Sequence, residues 1–168
     1  MLFGAELKVW MMATDSIFNF IKIDDHIATS GQPTEAQLID ARDEGYEAVI
    51  NLAPIGKTDP RLPQVADEAG ILAGLGMDYR YIPVEWTNPR REDFNAFSSA
   101  MEQLRDSKVL IHCAANFRVT AFFSLYAMKK LGWSREQADG LMARAWKIYP
   151  DYEPDEIWKG FIESVRSQ

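Results

Sequence analysis

The residues best suited to chemistry are Cys113 and Arg118, which lie in the segment KVLIHCAANFRVT at positions 108–120. An unbroken apolar run predicts a central strand over 108–112, and an almost wholly apolar stretch predicts a buried helix over 117–131. Cys113 therefore falls where a strand ends and a helix begins, which is the ligand-binding edge of an open α/β sheet. A loop at that edge directs backbone N–H groups, and the N-terminus of the helix, towards an anion.

The positive potential of such a loop favours the thiolate, which is the reactive form of cysteine. Arg118 follows five positions later, and its planar guanidinium matches two oxygens of a phosphate. A lone cysteine at a strand end is commonly a small buried residue, and a histidine such as His112 is commonly packed. The combination with a short loop and an arginine nevertheless favours a reactive, anion-binding site. Asn116 is the residue expected to adopt the left-handed conformation that a tight loop needs.

Strand-like and helix-like patterns alternate along the rest of the chain. Besides 108–112, the sequence predicts strands over 18–23, 47–52 and 79–84, with loops over 28–32 and 53–61. Besides 117–131, it predicts helices over 34–45, 63–74, 88–106 and 134–149, and a last one that opens at Pro154. Capping-box pairs open two of them, Thr34 with Gln37 and Ser134 with Gln137. The order predicts a single α/β domain over 1–168, a three-layer sandwich with a mostly parallel central sheet and helices on both faces.

The charge balance limits the classes of partner. The chain has 168 residues, with 18 Lys and Arg against 25 Asp and Glu, and a net charge of −7. This balance argues against nucleic acid and anionic membrane as partners, because both need a basic surface. No segment approaches the roughly 20 apolar residues of a membrane span, and residues 1–15 do not resemble a signal peptide. A single free cysteine suits a reducing compartment, so we expect a cytoplasmic protein.

No metal or organic cofactor is expected. Asp24 and Asp25 lie beside His26, but His26 and His112 are the only two histidines and show no ligand spacing. Four tryptophans are expected in the core or in an interface, namely Trp10, Trp133, Trp146 and Trp158.

Together with the segments before it, the loop at 112–118 resembles the phosphate-binding loop of the cysteine-dependent protein tyrosine and dual-specificity phosphatases. VINLAP at 49–54 and YRYIPVEWTNP at 79–89 precede it in that family's order, and 24–52 resembles the opening of the family's bacterial branch. The resemblance extends over about residues 20–131. It implies the fold of that family and hydrolysis of a phosphate monoester, on a protein or a small molecule, through a cysteinyl-phosphate.

The resemblance also implies a role for each residue of the loop. Cys113 would attack phosphorus, and the Arg118 side chain would bind the phosphoryl oxygens and stabilise charge in the transition state. His112 would hold the loop and help to keep Cys113 ionised. The backbone amides that would surround the phosphoryl group are those of Ala114, Ala115, Asn116, Phe117 and Arg118.

The loop departs from the family pattern in two ways. Only four residues separate Cys113 from Arg118, where the family has five. The family's Ser or Thr directly after the arginine is replaced by Val119, so Thr120 is the expected substitute.

A third departure concerns the general acid, which must protonate the leaving oxygen. Trp86 occupies the place of the family's aspartate, which leaves Glu85 as the nearest carboxylate and Asp93 as a more distant one. Trp86 and Phe117 are expected either to form walls of the cleft or to pack in the core. Arg90 and Arg91 are expected on a solvated face, with added positive potential at the mouth of the cleft as the alternative. Gln32 is expected in a structural turn that the resemblance places near the pocket.

Two other functions remain open on these residues. A four-residue gap between the cysteine and a basic residue resembles the loop of rhodanese-type sulfurtransferases, which carry a persulfide on the cysteine and need no general acid. A binding module for phosphorylated ligands would keep Arg118 and the ring of amides but turn over poorly. The order of the segments before the loop favours the phosphatase over sulfur transfer, and the binding module is the third possibility.

Overall fold

The computed structural model describes residues 13–57 and 59–168. Within them, five strands form one sheet in the order β1-β2-β5-β3-β4. The strands are β1 Ile21–Lys22, β2 Ile27–Ser30, β3 Ala48–Asn51, β4 Asp78–Tyr81 and β5 Val109–His112. Only β1 among these is antiparallel to its neighbour, so the prediction of a mostly parallel sheet is confirmed.

The strand β5 lies at the centre of the sheet, and all four of its residues are buried. His112, its last residue, is in register with Ser30 of β2 on one side and with Asn51 of β3 on the other. The carboxyl ends of these three strands therefore coincide. The loops that follow them, at 31–34, at 52–57 with 59–67, and at 113–116, meet at one edge of the sheet.

Helices cover both faces of the sheet, which confirms the three-layer architecture. Side chains that alternate along the strands enter two separate apolar clusters, for example Ile111 in one and Leu110 in the other. The helices that line the first cluster are α3 Arg91–Gln103, α4 Phe117–Lys130, α5 Arg135–Trp146 and α6 Glu156–Arg166. The other face carries α1 Glu35–Asp43 and α2 Glu68–Gly74.

Local capping signals locate some helix boundaries correctly and miss others. Both predicted capping boxes form, at Thr34 and at Ser134. The prediction that α3 begins near Asn88 is wrong by about a turn, because the carboxylate of Asp93 accepts the backbone N–H of Arg90 and starts the helix at Arg91. Two other helices also begin later in the chain than the sequence predicts: Asp67 caps α2, which begins at Glu68, and Asp155 caps α6, which begins at Glu156.

The first strand region is the largest difference from the sequence prediction. The predicted strand over 18–23 is reduced to β1, because Asn19 adopts a left-handed backbone with φ of 50° and turns the chain. The predicted loop over 28–32 instead begins with β2, whose polar Thr29 and Ser30 are buried against the central strand. Trp146 and Trp158 lie in the core as expected, whereas Trp10 lies outside the described residues.

Candidate active site

The loop between β5 and α4 contains Cys113 to Asn116 and ends in a left-handed residue. Asn116 has φ of 71° and is the N-cap of α4, but its side chain does not cap the helix. The first backbone N–H groups of α4 therefore lack an intrahelical acceptor and a side-chain substitute. A helix N-terminus in this state attracts anions. The sequence-based expectation for Asn116 is confirmed.

Three successive carbonyl groups of the loop are held from outside it. The Cys113 carbonyl lies 3.3 Å from Nδ1 of His112, and the Ala114 carbonyl accepts the backbone N–H of Gln32 at 2.9 Å. The Ala115 carbonyl accepts Nδ2 of Asn19 at 2.9 Å. In a planar trans peptide the next N–H points away from the carbonyl. The amide N–H groups of Ala114 and Ala115 are therefore directed away from these partners, to the other side of the loop.

Two asparagines fix the loop to the rest of the sheet edge. Asn116 donates through Nδ2 to the Asn19 carbonyl at 2.9 Å and to Oγ1 of Thr29 at 3.1 Å. Asn19 donates in turn to the carbonyls of Ala115 and Ala145. Because both asparagines have a positive φ, each combines a tight turn with side-chain hydrogen bonds that glycine could not make.

Arg118 is a buried cation with unused hydrogen-bonding capacity. The residue is only 8% exposed, and its Nε has no hydrogen-bond partner among the described residues. The guanidinium carbon lies 5.3 Å from the ring centroid of Trp86, a cation–π contact. Burial of an unsatisfied charged donor is costly, so the arrangement favours an anion that would satisfy it.

A cleft of about 390 Å³ opens over the loop. Cys113, which is free and buried in the resting protein, lies in its lining together with Ala114, Ala115 and Arg118. The remaining lining residues are aromatic or belong to the loop after β3: Trp86, Phe117, Tyr149, Tyr152, Asp59, Arg61 and Leu62. The expectation that Trp86 and Phe117 wall the cleft is therefore met.

Asp59 is the one carboxylate among the described lining residues, and it was not predicted from the sequence. Both of its oxygens accept hydrogen bonds from Arg61, at 3.0 Å from Nε and 2.6 Å from Nη2. These hydrogen bonds lower the pKa of Asp59 to about 2, so this carboxyl is ionised at neutral pH. Its segment is rich in proline, glycine and aspartate and carries no periodic pattern that would have placed it beside Cys113.

The residues expected to supply the acid lie elsewhere. Glu85 is half exposed, pairs with Nζ of Lys57 at 2.9 Å, and is not among the lining residues. Asp93 is buried and serves as the capping carboxylate of α3, bonded to Arg90. Arg91 points to α6, where its Nη2 donates to the Ser164 carbonyl.

Thr120 is also absent from the lining of the cleft. Its hydroxyl donates to the Asn116 carbonyl at 2.7 Å and accepts the indole N–H of Trp146 at 3.1 Å. Both partners lie inside the protein, and Thr120 is completely buried. One turn of helix separates it from the loop, so the shorter loop does not bring this hydroxyl to the position expected of it.

His112 lies behind the loop in a buried polar cluster. Its Nε2 is 3.0 Å from Oε2 of Glu68, and its Nδ1 faces the Cys113 carbonyl. Gln32 belongs to the same cluster, since its Nε2 donates to Oε1 of Glu68 at 3.1 Å. Gln32 is thus a support of the loop rather than a residue of the cleft. Glu68 was missed from the sequence because it lies 44 positions before His112.

A larger cavity of about 430 Å³ lies between α5 and α6 and meets the cleft only at Tyr152. Its cations Arg135 and Arg166 are paired with acidic residues, namely Asp139 and Glu163. In the smaller cleft, Arg118 is paired with no carboxylate among the described residues, and its Nε has no hydrogen-bond partner there. Among the described residues, no group of three His, Cys, Asp or Glu side chains could hold a metal ion, and no described helix is long and apolar enough to cross a membrane.

A cysteine after the central strand, a tight loop and an arginine in the first turn of the next helix are arranged as in the protein tyrosine phosphatase-like class. The comparisons agree. A crystal structure described as "Putative phosphatase (DUF442)" from Shewanella putrefaciens CN-32 is 32% identical, covers 91% of this chain and 94% of its own, and superposes with a TM-score of 0.78. The chain belongs to the DUF442 family.

More distant structures share the fold. Tk-PTP in its active form is 23% identical with a TM-score of 0.68 over 89% of this chain and 97% of its own. The core catalytic domain of the PP-IP phosphatase SIW14 from S. cerevisiae is 16% identical with a TM-score of 0.64, over 89% and 86% of the two chains.

Curated relatives carry a different name. A beta-lactamase hydrolase-like protein from Xylella fastidiosa (strain Temecula1) is 29% identical over 121 residues, which are 72% of this chain. One from Agrobacterium fabrum is 28% identical over 105 residues, or 62% of this chain. The chain spans only 28% and 24% of the lengths of these two relatives. No family model matches the sequence.

Proposed function

We propose that this protein hydrolyses phosphate monoesters through a cysteinyl-phosphate on Cys113. The observation that carries the proposal is the buried Nε of Arg118, which lacks a partner among the described residues and lies in the same cleft as the thiol. The uncapped N-terminus of α4 and the amides of Ala114 and Ala115 add donors to the same place. Together they supply the charge and the N–H groups that a phosphoryl transition state requires.

In the first step, the Cys113 thiolate attacks phosphorus. The bond from Sγ to phosphorus forms while the bond from phosphorus to the leaving oxygen breaks, and Arg118 with the loop amides binds the three remaining oxygens. Asp59 is ionised and has no proton to give at neutral pH. We therefore propose that the preferred leaving group is a phenolate, which departs without an acid and is protonated by water. The aromatic walls of the cleft suit such a group.

In the second step, water attacks the cysteinyl-phosphate. The ionised Asp59 carboxylate accepts a proton from this water, the bond from sulfur to phosphorus breaks, and the Cys113 thiolate is regenerated with inorganic phosphate. Asp59 thus acts as a general base, which suits its low pKa better than the role of an acid.

The basic experiment compares wild type with Cys113→Ser on an aryl phosphate, with and without vanadate. We expect phosphate release that vanadate blocks and that the variant loses. Thiosulfate and cyanide are tested in parallel, because the four-residue loop also suits a rhodanese-type sulfur transfer. Thiocyanate formation without phosphate release would replace the proposal by sulfur transfer. Phosphate binding without turnover would replace it by a binding module.

The role of Asp59 is tested with Asp59→Asn and with Asp106→Asn as a matched surface control, since the Asp106 side chain is 97% exposed. We expect Asp59→Asn to slow the second step by about 10²-fold or more, so that phosphocysteine accumulates after a burst of phenol. Glu85→Gln is measured on an alkyl phosphate beside an aryl phosphate. A selective loss on the alkyl ester would assign the acid to Glu85, as the sequence suggested.

The thiol chemistry proposed for Cys113 requires a reducing environment. We therefore propose that the protein works in the cytoplasm as one phosphatase-like unit, on a phosphorylated protein or small molecule and without a metal or organic cofactor. Neither nucleic acid nor a membrane surface is part of the proposal, given the net charge of −7.

A further inference from the structure

Glu68 is a buried carboxylate without a part in the mechanism above. It is the first residue of α2 and only 2% exposed. Its two oxygens divide their contacts: Oε1 accepts from Gln32 at 3.1 Å, and Oε2 lies 3.0 Å from Nε2 of His112. A buried carboxylate is costly unless its oxygens are hydrogen-bonded, and these two contacts offset that cost.

The carboxylate of Glu68 is ionised in the folded protein. Burial raises its pKa, but electrostatic attraction and hydrogen bonds from its neighbours outweigh burial and hold the pKa below the ordinary value; these neighbours are His112, Gln32 and Tyr79. An ionised carboxylate only accepts hydrogen bonds. It therefore fixes the amide orientation of Gln32 and requires a proton on Nε2 of His112.

The two residues that Glu68 holds also hold two of the carbonyl groups of the loop. The Nδ1 atom of His112 faces the Cys113 carbonyl at 3.3 Å, and the backbone N–H of Gln32 donates to the Ala114 carbonyl at 2.9 Å. Each carbonyl sets the direction of the N–H that follows it in the chain. The orientation of both amides thus depends on the Glu68 carboxylate, through His112 for Ala114 and through Gln32 for Ala115.

We infer that Glu68 is a positioning residue of the anion site: through His112 and Gln32 it turns the Ala114 and Ala115 amides towards the ligand. This inference rests on the proposed function, because it assumes that the loop binds a phosphoryl group. The two ring nitrogens of His112 face the Glu68 carboxylate and the Cys113 carbonyl, so the ring joins the carboxylate to the loop.

The test is a titration with inorganic phosphate, observed through the amide ¹H–¹⁵N signals of Ala114 and Ala115. We compare wild type with Glu68→Gln, which keeps the volume but removes the charge. Glu156→Gln is the matched control, because Glu156 is also the first residue of a helix and its side chain is 92% exposed. We expect both amide signals to move with phosphate in wild type and control, and Glu68→Gln to bind phosphate about tenfold or more weakly.

A second variant serves if Glu68→Gln does not fold. Gln32→Met removes the bond to Oε1 and leaves the contact between Glu68 and His112 in place. We expect it to weaken the response of the Ala115 amide and to spare that of Ala114. Equal responses of both amides in the variant and in wild type would overturn the inference.

The outcomes separate the two proposals. A folded Glu68→Gln that binds phosphate within about twofold of wild type, with the same amide shifts, would reduce Glu68 to a structural residue and leave the phosphatase intact. Wild-type amides that ignore phosphate would overturn the proposed function and the role of Glu68 together.

Discussion

Asn116 offers a test of the loop that does not depend on any catalytic activity. Its side chain makes two hydrogen bonds, to the Asn19 carbonyl and to Oγ1 of Thr29, and its backbone has φ of 71°. Glycine at this position would keep the backbone and lose the bonds, whereas alanine would lose the bonds and strain the backbone. The difference between the two variants therefore isolates the cost of the left-handed conformation.

The magnitudes follow from these contacts. Each lost hydrogen bond lowers the free energy of unfolding by about 1 kcal/mol, so each variant loses about 2 kcal/mol with the two bonds. Asn116→Gly loses about a further 0.5 kcal/mol of stability, because glycine gives the unfolded chain greater freedom. Asn116→Ala loses about a further 1–2 kcal/mol of stability, because alanine is strained in the left-handed backbone. We expect Asn116→Ala to be less stable than Asn116→Gly by about 1 kcal/mol.

The assay is urea unfolding followed by circular dichroism, with Asn88 as the matched control. Asn88 is exposed, lies in the turn before α3 and is not one of the described non-glycine residues with positive φ. Asn88→Ala should therefore be at least as stable as Asn88→Gly, the reverse of the order at Asn116. Equal stability of the two Asn116 variants, or the same order at both sites, would refute the argument that φ at Asn116 matters to the fold.

Three further predictions concern the same site. Arg118→Lys loses the planar fork, so we expect vanadate to inhibit about tenfold more weakly; unchanged inhibition would contradict the proposed use of Nε. Thr120→Val leaves the buried Trp146 indole N–H without its acceptor, which should lower the free energy of unfolding by about 1–3 kcal/mol. We expect kcat to stay near wild type. A loss of kcat at full stability would instead give this hydroxyl a catalytic role. The pKa of Glu68 is lower in the folded protein than its ordinary 4.5. The contribution of the carboxylate to stability is therefore complete above pH 4.5 and is lost as the pH falls through the folded-state pKa. In urea unfolding, the stabilities of wild type and Glu68→Gln should converge in acid.

The parts of the site that lie close together in the chain were predictable from the sequence. Cys113, Asn116 and Arg118 fall within six residues at a strand–helix junction, so local patterns alone bring them together. The capping boxes of α1 and α5 were readable for the same reason, since their partners are three positions apart.

The parts that depend on distant contacts were not predictable. Asp59 comes from a loop without a periodic pattern, and Glu68 reaches His112 across the sheet edge from another helix. The strand β2, with the sequence IATS, carries too few apolar residues to be read as a buried strand. Its burial follows from its place beside β5, which only the folded sheet determines.

The indole rings next to the cleft have a spectroscopic consequence. Trp86 lies 5.3 Å from the Arg118 guanidinium and only 6.1 Å and 5.0 Å from the rings of Trp146 and Trp158. At such distances excitation passes readily from one indole to another, so emission from the whole group responds to the surroundings of a single member. An anion that draws the guanidinium away from Trp86 should therefore change the intrinsic fluorescence, and occupancy of the cleft can be followed without any label.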